Sequence, residues 1–250
     1  MKIKPNKLSA VPLIQTSVDS DKDLKFIPTS PLPKRGSLYI CGAPGSGKSS
    51  LWYAMLLSKP TKKKPNDKRY YNKYFDRVEI ISNSMSTVPL EKFKLPSNQI
   101  HPKYSDDVLM KIIENIKQDD NYNSLIIIDD CIRSLTKSKI LCSLLQNRRH
   151  LTQNTNKDGN ANLTIWITSQ KFNMLSLSLR TALSHVIVYK STNNQEKKAI
   201  QDELMSDLNN NQQEEILDLC WDKPYGFVFI DVNAPRHKRY HSNFDSIIID

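Results

Sequence analysis

The chain has 250 residues, a length that suits one α/β domain with modest extensions and argues against two full domains. Its 36 lysines and arginines exceed the 26 acidic residues by 10, and the sequence pI of 9.3 points to a polyanionic partner, nucleic acid first. Four scattered cysteines exclude a disulfide scaffold or a zinc pattern and read as buried thiols in a reducing compartment, and the lack of a membrane-length apolar run or a signal-peptide core makes a soluble, intracellular protein the expectation.

Residues 1–35 carry Pro5, Pro12, Pro28, Pro31 and Pro33 among polar residues, which disfavours helix and predicts an extended arm. Ser37 to Leu51 then joins an apolar run, a glycine-rich turn and the start of a helical pattern. Gly42, four residues, then Gly47, Lys48 and Ser49 fit the phosphate-loop pattern G-x-x-x-x-G-K-[ST], with a strand before and a helix after as that motif requires. Backbone N–H groups from Gly42, Ala43, Pro44, Gly45, Ser46, Gly47, Lys48, Ser49 and Ser50, less the one proline lacks, are the candidates to turn around phosphate oxygens. Lys48 is placed to reach the β/γ oxygens and Ser49 to hold Mg²⁺. A chance glycine turn is the competing explanation, yet three of only six glycines in the chain fall in this turn.

The helix is expected to end near Lys59-Pro60. The basic run from Lys59 to Arg69 reads first as a solvated loop and second as a contact to DNA phosphates. Arg77 to Ser82 is a strand, and Asp106 to Lys117 a helix with apolar residues at three-and-four spacing, capped by Ser105 or Asp106. Leu125 to Ile128 is a buried parallel strand, Ile132 to Leu145 a helix, 152–162 a polar loop, Leu163 to Thr168 another buried strand. Val186 to Tyr189 is a strand, Glu196 to Leu208 and Gln213 to Cys220 are helices, and Tyr225 to Ile230 is the last strand. Residues 36–231 therefore read as one domain and 232–250 as a tail with a basic cluster, Arg236 to Arg239. Strands alternating with helices imply a mostly parallel sheet flanked by helices on both faces.

Asp129 and Asp130 end the 125–128 strand, at the side of an open α/β sheet where ligands sit. Asp129 is the candidate for the Mg²⁺ shell, and Asp130 for orienting or deprotonating an attacking water. The plainer alternative is an aspartate capping the next helix. Gln170, closing Leu163 to Gln170, is a candidate contact to the γ-phosphate or the water if its strand lies beside the phosphate-loop strand; a polar residue at a strand end is the plain alternative. A GTPase reading is weak, because no D-x-x-G follows Asp129 and Asn156-Lys157-Asp158 lacks the N-K-x-D spacing.

Together, Gly42 to Ser49, the acidic strand at 126–130 and the Thr-Ser-Gln strand end at 168–170 resemble the FtsK/HerA-like branch of P-loop ATPases, within it the DNA-packaging ATPases of large DNA viruses and virophages. The resemblance spans roughly Leu38 to Ile230 and implies a RecA-like (ASCE) fold, ATP and Mg²⁺ as ligands, double-stranded DNA as substrate, and a homo-oligomeric ring, pentamer or hexamer. It further implies capsid vertex proteins as partners, no membrane, and a location in the virion or the viral factory of the host cytoplasm. By position it assigns Arg149, or else Arg148, as a finger acting on a neighbouring subunit's ATP; helix-end basic residues complementing the dipole are the plain alternative. Ala182 stands where the family usually has asparagine, which puts any role for Arg180 in doubt. Two other classes stay open: a phosphotransferase acting on a nucleoside or small molecule, and a nucleotide-gated DNA-binding assembly factor.

Overall fold

A computed structural model of the chain describes residues 31–59, 62, 70–84, 90–118, 123–131, 135, 138–151 and 162–249. The strands are β1 (Ser37–Cys41), β2 (Arg77–Ser82), β3 (Ile100–His101), β4 (Asn123–Asp129), β5 (Asn162–Ser169), β6 (His185–Tyr189), β7 (Phe227–Asp231), β8 (Tyr240–Ser242) and β9 (Asp245–Ser246). The α-helices are α1 (Lys48–Leu57), α2 (Leu90–Phe93), α3 (Asp106–Gln118), α4 (Lys139–Leu151), α5 (Leu177–Arg180), α6 (Asn194–Leu204), α7 (Asn210–Trp221) and α8 (Arg236–Arg239). The nine strands form one sheet in the order β3-β2-β4-β5-β1-β6-β7-β8-β9. From β3 to β6 every pairing is parallel, and β7 to β9 extend the sheet antiparallel.

Alternation along the central strands splits the interior into two cores, because successive side chains leave opposite faces of a sheet. Tyr39, Cys41, Ile126, Ile128, Ile165 and Ile167 point to one face and meet α3, α4, α6 and α7. Leu38, Ile40, Leu125, Ile127 and Trp166 point to the other, against Trp52, Met55 and Leu56 of α1 and a tyrosine-rich segment, Tyr71, Tyr74 and Phe75. Buried on both faces, these strands read in the sequence as continuous apolar runs.

Side-chain caps set several helix ends. Ser105 Oγ accepts from Val108 N at 3.2 Å at the start of α3, and Ser138 Oγ accepts from Leu141 N at 3.0 Å at the start of α4. Ser138 Oγ also donates to Asp106 Oδ1 at 2.6 Å, which ties the two helix starts together. Asn193 caps α6, and Asn209 with Gln212 forms a capping box on α7, so these helices begin at 194 and 210, ahead of the expected 196 and 213. Helix α4 runs on to Leu151 past the expected end at Leu145, with a kink at Asn147. Among the residues expected to form that helix, 132–134 and 136–137 lie outside the described residues.

Of the arm, residues 1–30 lie outside the described residues, as does nearly all of the basic run at 59–69. The arm's last residues are pinned: Tyr71 donates to Pro33 O and Tyr74 to Lys34 O, each at 2.6 Å. At the other end, residues 236–246 form α8, β8 and β9, with Tyr240 fully buried. Arg239 pairs there with Asp207 at 3.0 Å and Arg236 donates to Gln212 at 3.0 Å. The four cysteines are free thiols, three buried and Cys142 half-buried. Among the described residues no helix is long and apolar enough to cross a membrane.

Candidate functional site

The C-terminal ends of β1, β4 and β5 gather the residues that the sequence singles out. Strand β5 stands between the phosphate-loop strand β1 and the acidic strand β4 and pairs with both. Gln170 thus follows a strand beside the phosphate-loop strand, the condition on which its candidacy rested.

The loop from Gly42 to Gly47 leaves β1 and opens directly into α1. Gly45 and Gly47 have φ of 79° and 98°, left-handed values that side chains disfavour. A Cβ on Gly42 would sit 2.6 Å from Tyr189 Cβ, so the loop is pressed onto β6 at its start. Helix α1 has no side-chain cap at Gly47, which leaves its first-turn N–H groups facing the loop's concavity. Ser46 Oγ is buried without a hydrogen-bond partner, a polar atom that a bound oxyanion would satisfy. Lys48 Nζ folds back onto the loop, donating to Gly42 O at 2.6 Å and Ala43 O at 3.0 Å. Burial lowers the pKa of Lys48, and the negative charges of Asp130 and then Asp129 act the other way. The lysine therefore already lies in the field of the acidic pair.

Asp129 is nearly buried, and each of its carboxylate oxygens accepts a hydroxyl hydrogen bond: Oδ1 from Thr168 at 2.7 Å and Oδ2 from Ser82 at 3.3 Å. Burial, with Asp129 adding to it, pushes the Tyr53 hydroxyl up to about 12. Asp130 turns away, its φ of 53° left-handed. Its N–H donates to Thr168 Oγ1 at 3.0 Å, and its Oδ2 accepts from Gln170 Nε2 at 3.0 Å. Thr168 thus holds the side chain of one aspartate and the backbone of the next. The turn carrying Gln170 is fixed from β1: Tyr39 Oη bonds Ser169 Oγ at 2.5 Å, Lys171 O at 2.9 Å and Phe172 O at 3.0 Å. Thr168 stands in the Thr-Ser-Gln strand end that the sequence marks, without a role assigned to it, and Ser82 carries no signal beyond being a small hydroxyl residue at the end of β2.

Thr168→Val is expected to remove a donor from Asp129 and an acceptor from Asp130 N–H at once. Leaving buried polar groups unsatisfied costs about 1–3 kcal/mol. Thermal melting should report that loss, and initial rates of nucleotide hydrolysis should fall with it.

The arginines fall elsewhere. Arg148 and Arg149 lie in the last turn of α4, beyond the kink at Asn147 where φ is −121°. Arg148 is half-buried, and the side chain of Arg149 lies outside the described residues. Arg180 is absorbed into the fold. Its Nε and Nη2 donate to the two carboxylate oxygens of Glu203 at 2.8 and 2.6 Å, and its guanidinium lies 4.8 Å from the centroid of the Phe172 ring.

The donor set suits Mg²⁺, a hard cation that takes a carboxylate and hydroxyl oxygens and leaves its other positions to water and phosphate. Asp129 and Ser49 supply such oxygens.

No protein-family model matches the chain, and no curated protein matches it in sequence. Solved structures do match its fold. The genome packaging NTPase B204 of Sulfolobus turreted icosahedral virus 2, in complex with AMP, aligns at 15% identity and a TM-score of 0.57, over 87% of this chain and 100% of that one. B204 of Sulfolobus turreted icosahedral virus, a DNA-packaging ATPase, aligns at 16% and 0.55, over 87% and 99%. The pCW3 conjugation coupling protein TcpA with ATPγS aligns at 12% and 0.51, over 87% of this chain and 62% of that one. The chain is thus similar in fold to P-loop ATPases, with a mostly parallel central sheet flanked by helices, and the resemblance read from its motifs extends to its architecture.

Proposed function

We propose that this chain is an ATP-driven motor that moves double-stranded DNA into a viral capsid. The observation that carries the reading is the pair of aspartates at the end of β4, held in two different orientations by Thr168 and Gln170 beside an open phosphate loop. A lone phosphate loop is compatible with many folds; an acidic pair split in this way offers one carboxylate for a metal and one for a water.

In this reading the loop from Gly42 to Ser50 binds the phosphates through its N–H groups, and Lys48 leaves its two carbonyl partners to reach the β/γ oxygens. Ser49 and Asp129 would hold Mg²⁺, which would supply positive charge to the phosphates when bound. Asp130 orients the attacking water and takes its proton as oxygen bonds the γ-phosphorus and the bridge to ADP breaks. Gln170, which pairs with Asp130, is placed to report the γ-phosphate. Arg149, or Arg148, serves the site of the adjacent subunit in a ring of five or six copies. The net charge of +10 supports contact to DNA phosphates, with capsid vertex proteins as the docking partners.

The test is steady-state ATP hydrolysis with and without double-stranded DNA, with Lys48→Ala as the inactive control. DNA is expected to raise turnover in a sequence-tolerant way. That stimulation should collapse with salt, since a protein making about six phosphate contacts loses roughly 10³-fold in affinity between about 50 and 200 mM. Stimulation with a flat salt dependence would remove DNA translocation from the reading. Turnover raised by a nucleoside or small-molecule acceptor, and indifferent to DNA, would make the chain a phosphotransferase.

A further inference from the structure

We propose that Tyr225 is the platform on which the base of the bound nucleotide stacks; this rests on the nucleotide site above and adds the base to it. Tyr225 lies between α7 and β7, in a turn that the phosphate-loop motif does not include. Tyr225 is 71% exposed, whereas Tyr189, the other tyrosine lining the same side of the loop, is buried. Its φ is 62°, a left-handed value at which a bulky side chain is an outlier. Such outliers persist where the surroundings impose them, and they gather at ligand clamps.

The ring lies against the loop, for a Cβ on Gly47 would meet Tyr225 Cδ1 at 3.3 Å. A cavity of about 580 Å³ opens at this point, and its lining joins Lys48, Ser49 and Ser50 of the phosphate loop to the rings of Tyr189, Tyr225 and Phe227. The start of α1 is where phosphates sit, and the aromatic rings in the same cavity offer the base of that nucleotide an apolar surface. An exposed π-face accepts any base, so stacking gives affinity with little choice between ATP and GTP. The nucleotide then spans both parts of the sheet: its phosphates lie on the parallel strands and its base on the turn that enters the antiparallel ones.

Equilibrium binding of ATP and of inorganic triphosphate, by calorimetry on the full chain, separates base from phosphate. Tyr225→Ala is expected to weaken ATP roughly 5- to 150-fold, the worth of one base on one aromatic ring, and to leave inorganic triphosphate unchanged. Tyr225→Phe should keep ATP affinity. Tyr225→Gly should lose ATP affinity like alanine while keeping or raising the melting temperature, because glycine adopts the left-handed backbone without strain. Equal losses for both ligands would mean that Tyr225 shapes the loop, and unchanged ATP affinity in the alanine variant would mean that it touches no base; either overturns the proposal. Lys48→Ala should weaken both ligands. If it weakens neither, the phosphate site itself falls, a failure distinct from that of the stacking.

Discussion

Asp130→Asn is expected to lower kcat for ATP hydrolysis by about 10²–10⁴-fold, the usual worth of a positioned general base, with ATP affinity nearly unchanged. Three features make this substitution clean. Asparagine tolerates the left-handed backbone that Asp130 adopts at φ 53°. Its amide oxygen still accepts from Gln170 Nε2, and its N–H still donates to Thr168 Oγ1. The acidic ligand assigned to the metal, Asp129, keeps both of its hydroxyl donors. What is lost is proton acceptance, together with the negative charge that acts on Lys48. Single-turnover hydrolysis beside equilibrium ATP binding reads the two quantities separately, and a kcat within about threefold of wild type would show that the water is activated elsewhere.

Glu79→Ala is expected to be the most destabilising polar substitution on the sheet. Glu79 is fully buried near the edge formed by β2 and β3, where its Oε1 accepts from Arg77 and its Oε2 from His101 at 2.7 Å. Nε and Nη2 of Arg77 approach that first oxygen at 2.7 and 2.6 Å. Removing the carboxylate breaks a buried ion pair, at a cost of about 3–5 kcal/mol. In a domain of this size that corresponds to a fall in melting temperature of about 6–20 °C. Glu79→Gln keeps the volume and some of the hydrogen bonds and should fall between wild type and alanine. An alanine variant melting within about 2 °C of wild type would mean that the cluster contributes no net stability.

The sheet centre was legible because its strands are buried on both faces. Arg77–Ser82 is β2 end to end, and the apolar runs at 125–128 and 163–168 lie inside β4 and β5. Helix α3 announced itself through apolar spacing and a serine cap. Strands β3, β8 and β9 did not, since two or three residues carry no periodicity and their pairing depends on a neighbour already in place. Strand β8, Tyr-His-Ser, exists because β7 offers it an edge. The phosphate loop is readable because its backbone demands glycine at fixed positions. The hydroxyls of Ser82 and Thr168 that hold Asp129, 47 and 39 residues away, and the ring of Tyr225 come from distant segments and are brought in only by topology. Arg180, whose role the sequence left in doubt, serves the fold, whereas a finger acting on a second subunit has no counterpart within one chain.

With β5 between them, β1 and β4 stand two interstrand spacings apart, roughly 10 Å. Backbone hydrogen bonds, which no side-chain substitution alters, therefore gauge the gap between the loop and the acids. The middle strand pairs with both walls, and Thr168 near its end and Gln170 just after it grip the two aspartates on one side while Ser169 grips Tyr39 on the other. A shift of β5 along its own axis would loosen both acids together and break both of its ladders, so one register holds the width of the cleft and the setting of the acids at once.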